Sequence, residues 1–233
     1  MTPAEFGVNF FIAMFALIDP VGNVPVFAAA TNNASPAGRR WVALYISLFA
    51  LGFLAFFYFT GLGLLRFFGI SLPAFRIAGG ILLLLLGLDM AREDMTAAFA
   101  DPAVEHEPGG ARGYARRRFE RLVVPFAMPL LIGPGAISAT IIYAGEAKAL
   151  GWAGTLAGLV SMAALALCTF VTFVLTPIIS RVLGRIGMTI IVRVSGLILC
   201  AMAVQFLIIG MNDATHGLVR QSVAVPYAVA AKR

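Results

Sequence analysis

Charged side chains are scarce in this chain, 12% of 233 residues against about 25% in an ordinary soluble domain. Hydrophobic residues make up 61%, and a chain of this size has too little interior to hide that much apolar surface from water. A soluble globular domain is excluded, and a bilayer is the remaining solvent. Cysteine is scarcer still. Cys168 and Cys200 both fall in apolar stretches, where a thiol behaves as a small hydrophobe, so no disulfide framework is expected. The two histidines, His106 and His216, lie far apart outside the apolar runs, too little for a metal site. No Gly-x-x-x-x-Gly-Lys loop occurs, so the chain carries no ATP-binding engine of its own. No Ser/His/Asp arrangement stands out either. We expect no enzyme, no bound metal and no cofactor.

What is present is apolar length. Trp41–Leu65, Ile77–Leu88, Trp152–Ser180 and Val194–Asn212 contain no charge at all. A helix needs about 20 apolar residues to cross the hydrocarbon core. Six spans follow: Val8–Ala30, Trp41–Gly63, Pro73–Leu88, Leu122–Tyr143, Trp152–Thr176 and Ile190–Gly210. The third is short; either it extends back through Phe67–Leu72 or part of that stretch re-enters the membrane. Met1 to Gly7 holds Glu5 and no Lys or Arg, unlike a cleaved signal peptide, so the first apolar stretch is expected to stay as a helix.

The net charge of +6 is spent on topology rather than on nucleic acid. Loops 1, 3 and 5 carry Arg39, Arg40, Arg92, Arg112, Arg116, Arg117, Arg118, Arg121, Arg181 and Arg185; the other side carries only Arg66, Lys148, Arg220, Lys232 and Arg233. Positive residues favour the cytoplasm, which places loops 1, 3 and 5 inside and both termini outside. Loop 3 is acidic and proline-containing first (Glu93 to Pro108), then basic (GGARGYARRRFER). Its second part reads either as a short basic helix on the lipid surface or as a connector whose arginines fix topology.

The chain also repeats itself. Arg76-Ile77-Ala78-Gly79 has a counterpart in Arg193-Val194-Ser195-Gly196, and small residues follow at seven-residue spacing: Gly80 and Gly87, then Gly196, Ala203 and Gly210. Such positions let helix backbones approach closely in a membrane. Span 1 is broken by Asp19-Pro20-Val21-Gly22-Asn23-Val24-Pro25, and span 4 by Gly133-Pro134-Gly135. The offsets, 114 residues for Pro20 to Pro134 and 117 for Arg76 to Arg193, keep the halves nearly in register. Three spans per half is an odd number, so the halves must be inverted. The fold expected is therefore all-α and polytopic: six transmembrane helices as two inverted three-helix repeats, with discontinuous first and fourth helices. Residues 1–90 form the first repeat, 91–121 the linker and 122–233 the second repeat.

Counted from those span starts, both breaks lie 11 residues in, roughly 16 Å deep and near the midplane. Unwound backbone at that depth is tolerated only against protein or a water-filled cavity. Matching breaks in inverted halves mark a secondary-transporter binding site. The candidate substrate-binding residues are Asp19, Gly22, Asn23, Gly133, Gly135 and Ser138. Asp19 has two roles open to it, carrying a proton or Na⁺ for coupling, or capping the restarting half-helix. Arg76 and Arg193 either snorkel or pair structurally, or else gate the pathway.

The stretches LIDPVGNVPVF (17–27), FGISLPAFRIAGGILLLLLGLDM (68–90), VPFAMPLLIGPGAIS (124–138) and VRVSGLILCAMAVQFLIIGM (192–211) resemble the MarC family of bacterial inner-membrane proteins. The resemblance implies a six-helix, multi-pass protein of the bacterial plasma membrane. The family was named for an association with multiple antibiotic resistance, and related proteins are grouped with transporters of small neutral amino acids. The expected function is alternating-access transport of a small solute, a neutral amino acid being the class implied. Rival readings are multidrug efflux and a regulator or scaffold acting through the 91–121 loop. The expected partners are the lipid bilayer and a small-molecule substrate, with no nucleic acid.

Overall fold

The computed structural model describes residues 1–92, 110–122, 127 and 131–215. All regular structure among them is helical: α1 (Pro3–Ile18), α2 (Val24–Ala30), α3 (Pro36–Phe67), α4 (Leu72–Arg92), α5 (Gly110–Leu122), α6 (Pro134–Ala149), α7 (Gly151–Val174) and α8 (Thr176–Ala214). Local chemistry sets the boundaries. Thr2 and Glu5 form a reciprocal capping box ahead of Pro3, which opens α1 at a position where its missing N–H costs nothing. Ser35 Oγ accepts the Gly38 N–H at the start of α3, with Pro36 following it. Gly69, with φ +67°, provides the left-handed turn between α3 and α4, and Gly184, φ +62°, kinks α8.

Among the described residues four helical segments are long and apolar enough to cross a membrane: Pro36–Phe67, Leu72–Arg92, Gly151–Val174 and Ile186–Ala214. The third expected span is thus not short. It runs for 21 residues from Leu72, and Phe67 and Phe68 before it are exposed, 83% and 65%. The first expected span stays below that length because it is split into α1 and α2. Much of the fourth, residues 123–126 and 128–130, lies outside the described residues. The outer surface is apolar: Leu48, Phe56, Phe59, Val160, Leu167 and Leu197 are each at least half exposed. Water does not tolerate a patch of that extent on a monomer, and lipid does.

The closest helix pair is α4 with α8. Pro73 and Ile77 meet Gly210, Gly80 meets Ala203 and Leu207, and Gly87 meets Gly196 and Cys200, so the two run antiparallel. Small residues permit this, as their spacing predicts. On the other side α1 lies antiparallel to α6: Phe6 meets Tyr143 edge-on and Phe10 stacks on it, Met14 receives the Thr140 hydroxyl, and Leu17 reaches Gly135. Gly154 and Gly158, a GxxxG pair, pack inside the chain against the end of α6 and against Tyr58 of α3.

The glycines of the α4–α8 seam give a direct test. A Cβ on Gly87 would sit 2.8 Å from both the Gly196 carbonyl and Cys200 Sγ, whereas Gly52 has nothing within 4 Å. Gly87→Val should lower unfolding stability by about 1–3 kcal/mol, and Gly52→Val should not, as read by thermal melting in detergent. Equal melting of the two variants would refute the seam.

Candidate functional site

The site begins where α1 fails. Pro20 has no N–H for the Ala16 carbonyl, and Asp19 takes a left-handed conformation, φ 43° and ψ 65°, costly for any residue but glycine. Two side chains hold the turn. Asp19 Oδ1 accepts the Gly22 N–H at 2.9 Å, and Asn23 Nδ2 donates to the carbonyls of Ile18 and Asp19, both at 3.0 Å. The expected capping role of Asp19 is therefore displaced: it braces the turn, while Asn23 reaches back to finish α1. At the start of α2 its N-cap residue, Asn23, makes no side-chain cap bond. Gly22 is forced by space, since a Cβ there would collide with Asp19 Oδ2 and with Ser195 Oγ of α8.

The second break lies beside the first. Gly133 precedes α6 with extended backbone, Pro134 opens the helix, and Gly133 as N-cap has no side chain with which to cap it. Leu17, just before the first break, and Leu83 of α4 both press on Gly135. Ser138, fully buried, donates to the Phe75 carbonyl at 3.5 Å, and Gly79 packs on Ser138 and Pro134. The two breaks therefore adjoin, each touching a helix from the other part of the chain: Gly22 on α8, Gly135 on α4. The helices α1 and α6 are 16 residues each, about 24 Å long, and α1 starts at Pro3 where the expected span began at Val8.

Arg76 and Arg193 part company. Arg76 pairs with Asp213 at 2.7 Å and is 15% exposed, a structural pairing that ties α4 to the end of α8. Arg193 is exposed. Arg76 also borders a partly open pocket of about 310 Å³, with Tyr143 and Glu146 as its other polar residues and Ile142, Met202, Phe206 and Ile209 among its apolar ones. The pocket reaches Ala16 and Leu17, so it ends one turn from Asp19.

At its far end α2 is closed by two arginines. Seven residues cannot hold a helix alone, and this one is buried, with Phe27 stacked 4.3 Å from Phe173. Arg39 donates to the Thr31 carbonyl at 3.1 Å, and Arg118 Nε to the Ala30 carbonyl at 2.7 Å. The basic stretch of loop 3 forms a short helix, α5, as one reading of it expected. The basic helix α5 docks on α3 through Tyr114, Ala115 and Phe119, and Arg118 is buried at 7% exposure. Cations at a helix C-terminus bond its last carbonyls and complement its dipole.

Three residues of this arrangement escape the sequence: Ser195, Asp213 and Arg118. Ser195 carried a signal, as the hydroxyl of the Arg-Val-Ser-Gly repeat where its counterpart is Ala78. The other two carried none, because nothing in the local pattern names their partners.

These features define a polytopic, all-helical integral membrane protein whose first span is interrupted by a polar turn. The chain belongs to the MarC family of integral membrane proteins, whose model matches residues 4–215. It is 38% identical over 216 residues to a UPF0056 membrane protein of Aquifex aeolicus, covering 90% of this chain and 95% of that one. The UPF0056 membrane protein YhcE of Escherichia coli is 33% identical over 210 residues, 90% and 94% of the two chains. A UPF0056 membrane protein of Methanocaldococcus jannaschii is 37% identical over 206 residues, 88% and 95%. No solved structure matches.

The arginine cap is open to measurement. Arg118→Ala leaves a buried carbonyl without its donor and should cost about 1–3 kcal/mol in thermal unfolding. Arg121→Ala, on the exposed side of α5, should change stability by no more than about 0.5 kcal/mol. Identical melting of both would show that Arg118 caps nothing.

Proposed function

We propose that the protein is a secondary transporter of a small solute, with neutral amino acids as the substrate class, working by alternating access across the plasma membrane. The observation that carries this reading is the contact between the two breaks, with Leu17 against Gly135. An irregular, polar stretch of backbone within a membrane span is costly and is kept where it binds something.

On this reading the six spans form two inverted three-helix repeats, residues 1–90 and 122–233, joined by the 91–121 linker. The antiparallel α4–α8 seam and the exchange of break contacts, Gly22 on α8 and Gly135 on α4, support that symmetry. The distribution of arginines puts the termini outside and loops 1, 3 and 5 in the cytoplasm. The pocket beside Arg76 then opens outward and leads to the break, while α2 and the docked α5 close the inner side.

The chemistry follows from the residues. A zwitterion's carboxylate would lie at the uncapped start of α6, near Gly133, Gly135 and Ser138, where free N–H groups and the helix dipole favour an anion. Its ammonium group or a coupling cation would lie by Asp19, with Gly22 and Asn23 shaping the turn. No bond of the solute is made or broken.

Uptake and counterflow in proteoliposomes, with labelled amino acids and imposed H⁺ or Na⁺ gradients, test the proposal. Saturable flux of one amino acid class should fall about tenfold or more in Asp19→Asn, the loss of a charge-assisted contact, and in Gly135→Leu, whose side chain would crowd Leu17 and Leu83 at the start of α6. Flux that both variants leave unchanged would place the site elsewhere. No flux of any amino acid would remove the substrate class.

A further inference from the structure

The helix α3 is longer than the bilayer core is thick. Its 32 residues make about 48 Å against roughly 30 Å of hydrocarbon, so about three turns stand outside the acyl layer. Side chains show which turns. Arg39, Arg40, Trp41 and Tyr45 precede Leu48, the first exposed large aliphatic residue of the helix. Trp and Tyr favour the membrane–water interface, so the start of α3 lies among headgroups.

Beside this part of α3 runs α5, in the same direction: Tyr114 lies against Gly38, and Phe119 against Tyr45 and Phe49. The two faces of α5 differ. Tyr114, Ala115 and Arg118 are buried, whereas Arg112 and Arg116, one turn apart, are exposed. Arg112 lies over the Trp41 ring, 4.3 Å from its centre, and among the described residues has no carboxylate partner. Arg116 reaches Glu120 at 3.4 Å with both side chains well exposed, a pair that contributes little. A guanidinium stacked on a ring still presents its N–H edge to an oxyanion.

From the two arginines a row of rings descends the outer face of α3. Trp41, Tyr45, Phe49, Phe53 and Phe57 recur every fourth position, and consecutive rings meet each other or Phe119 at 5.0–5.9 Å. All five are half-buried. Tyr45 to Phe57 spans about 18 Å, close to the hydrocarbon depth of one leaflet. We propose that this face of α3 and α5 holds one acidic phospholipid, its phosphate between Arg112 and Arg116 and an acyl chain along Tyr45, Phe49 and Phe53. The rings face outward at a depth where lipid is the solvent, and the cations stand at the depth of its phosphates. Charge complementarity selects an acidic headgroup, because a zwitterionic one would bring a further positive charge to α5, which has five arginines and one glutamate. The inner face of α5 donates Arg118 to the Ala30 carbonyl, so the lipid braces the helix that caps α2. None of this depends on the transporter reading.

Native mass spectrometry of the full-length protein in a neutral detergent tests the site, with titration by dioleoyl phosphatidylglycerol or by the phosphatidylcholine of the same chains. One phosphatidylglycerol should bind saturably, about tenfold tighter than phosphatidylcholine. Arg112→Gln and Arg116→Gln should each weaken phosphatidylglycerol about fivefold and leave phosphatidylcholine unchanged. Phe53→Ala should weaken both lipids alike, since it touches the chain and not the headgroup. Arg121→Gln, on the opposite side of α5 from Arg112, should bind as the wild type does. Glycerol 3-phosphate should not compete. Equal affinity of the wild type for the two lipids overturns the proposal, and that comparison needs no variant. Equal weakening by Arg121→Gln also overturns it, because diffuse charge would then replace a site. Competition by glycerol 3-phosphate does the same, leaving a site for soluble phosphates.

Discussion

Within hydrocarbon every backbone N–H and carbonyl must find a partner inside the protein, and an interrupted helix violates that demand at both of its new ends. The rest of this molecule is arranged around that violation. Asn23 serves the carbonyls that α1 leaves open, Asp19 holds the turn, and Arg39 and Arg118 serve the far end of α2. A fragment of seven residues is thereby fixed between α1 and α3. What remains unserved is as informative as what is served: Asn23 Oδ1 at the first break, and the uncapped start of α6 at the second.

The small residues answer a different need. Between helices in lipid there is no hydrophobic drive to associate, so contact depends on close packing. Gly80, Gly87, Gly196 and Gly210 let α4 and α8 approach until backbone meets backbone, and that seam presents Ser195 to one break and Gly79 to the other. The same pair of helices thus supplies both scaffold and lining. Arg76 and Asp213 close the seam at one end with an ion pair that is only half withdrawn from solvent, and its worth in stability is correspondingly small.

Much of this was legible in the residues, for identifiable reasons. Hydrophobic length and the seven-residue spacing of glycines report directly on helices and their contacts, and proline with glycine reports on breaks. Contacts between distant side chains leave no such trace. Arg118 looked like one of several loop arginines, and only the docking of α5 on α3 turns it inward. The pairing of Arg76 with Asp213 spans 137 positions, beyond any local pattern. Helices run past their apolar stretches where polar caps start them, as at Pro3 and Pro36.

The central claim is that the first break lines a polar path rather than a dry structural kink. Val21 lies inside the break and is 42% exposed, whereas Phe56 is 52% exposed on the outer face of α3. With Cys168 and Cys200 replaced by alanine, Val21→Cys and Phe56→Cys can each be treated with a small charged thiol reagent in membranes. Thiols react as thiolates, which form in water and not in lipid. The account predicts modification of Val21→Cys and none of Phe56→Cys; a Val21→Cys thiol as inert as the lipid-facing one would contradict it.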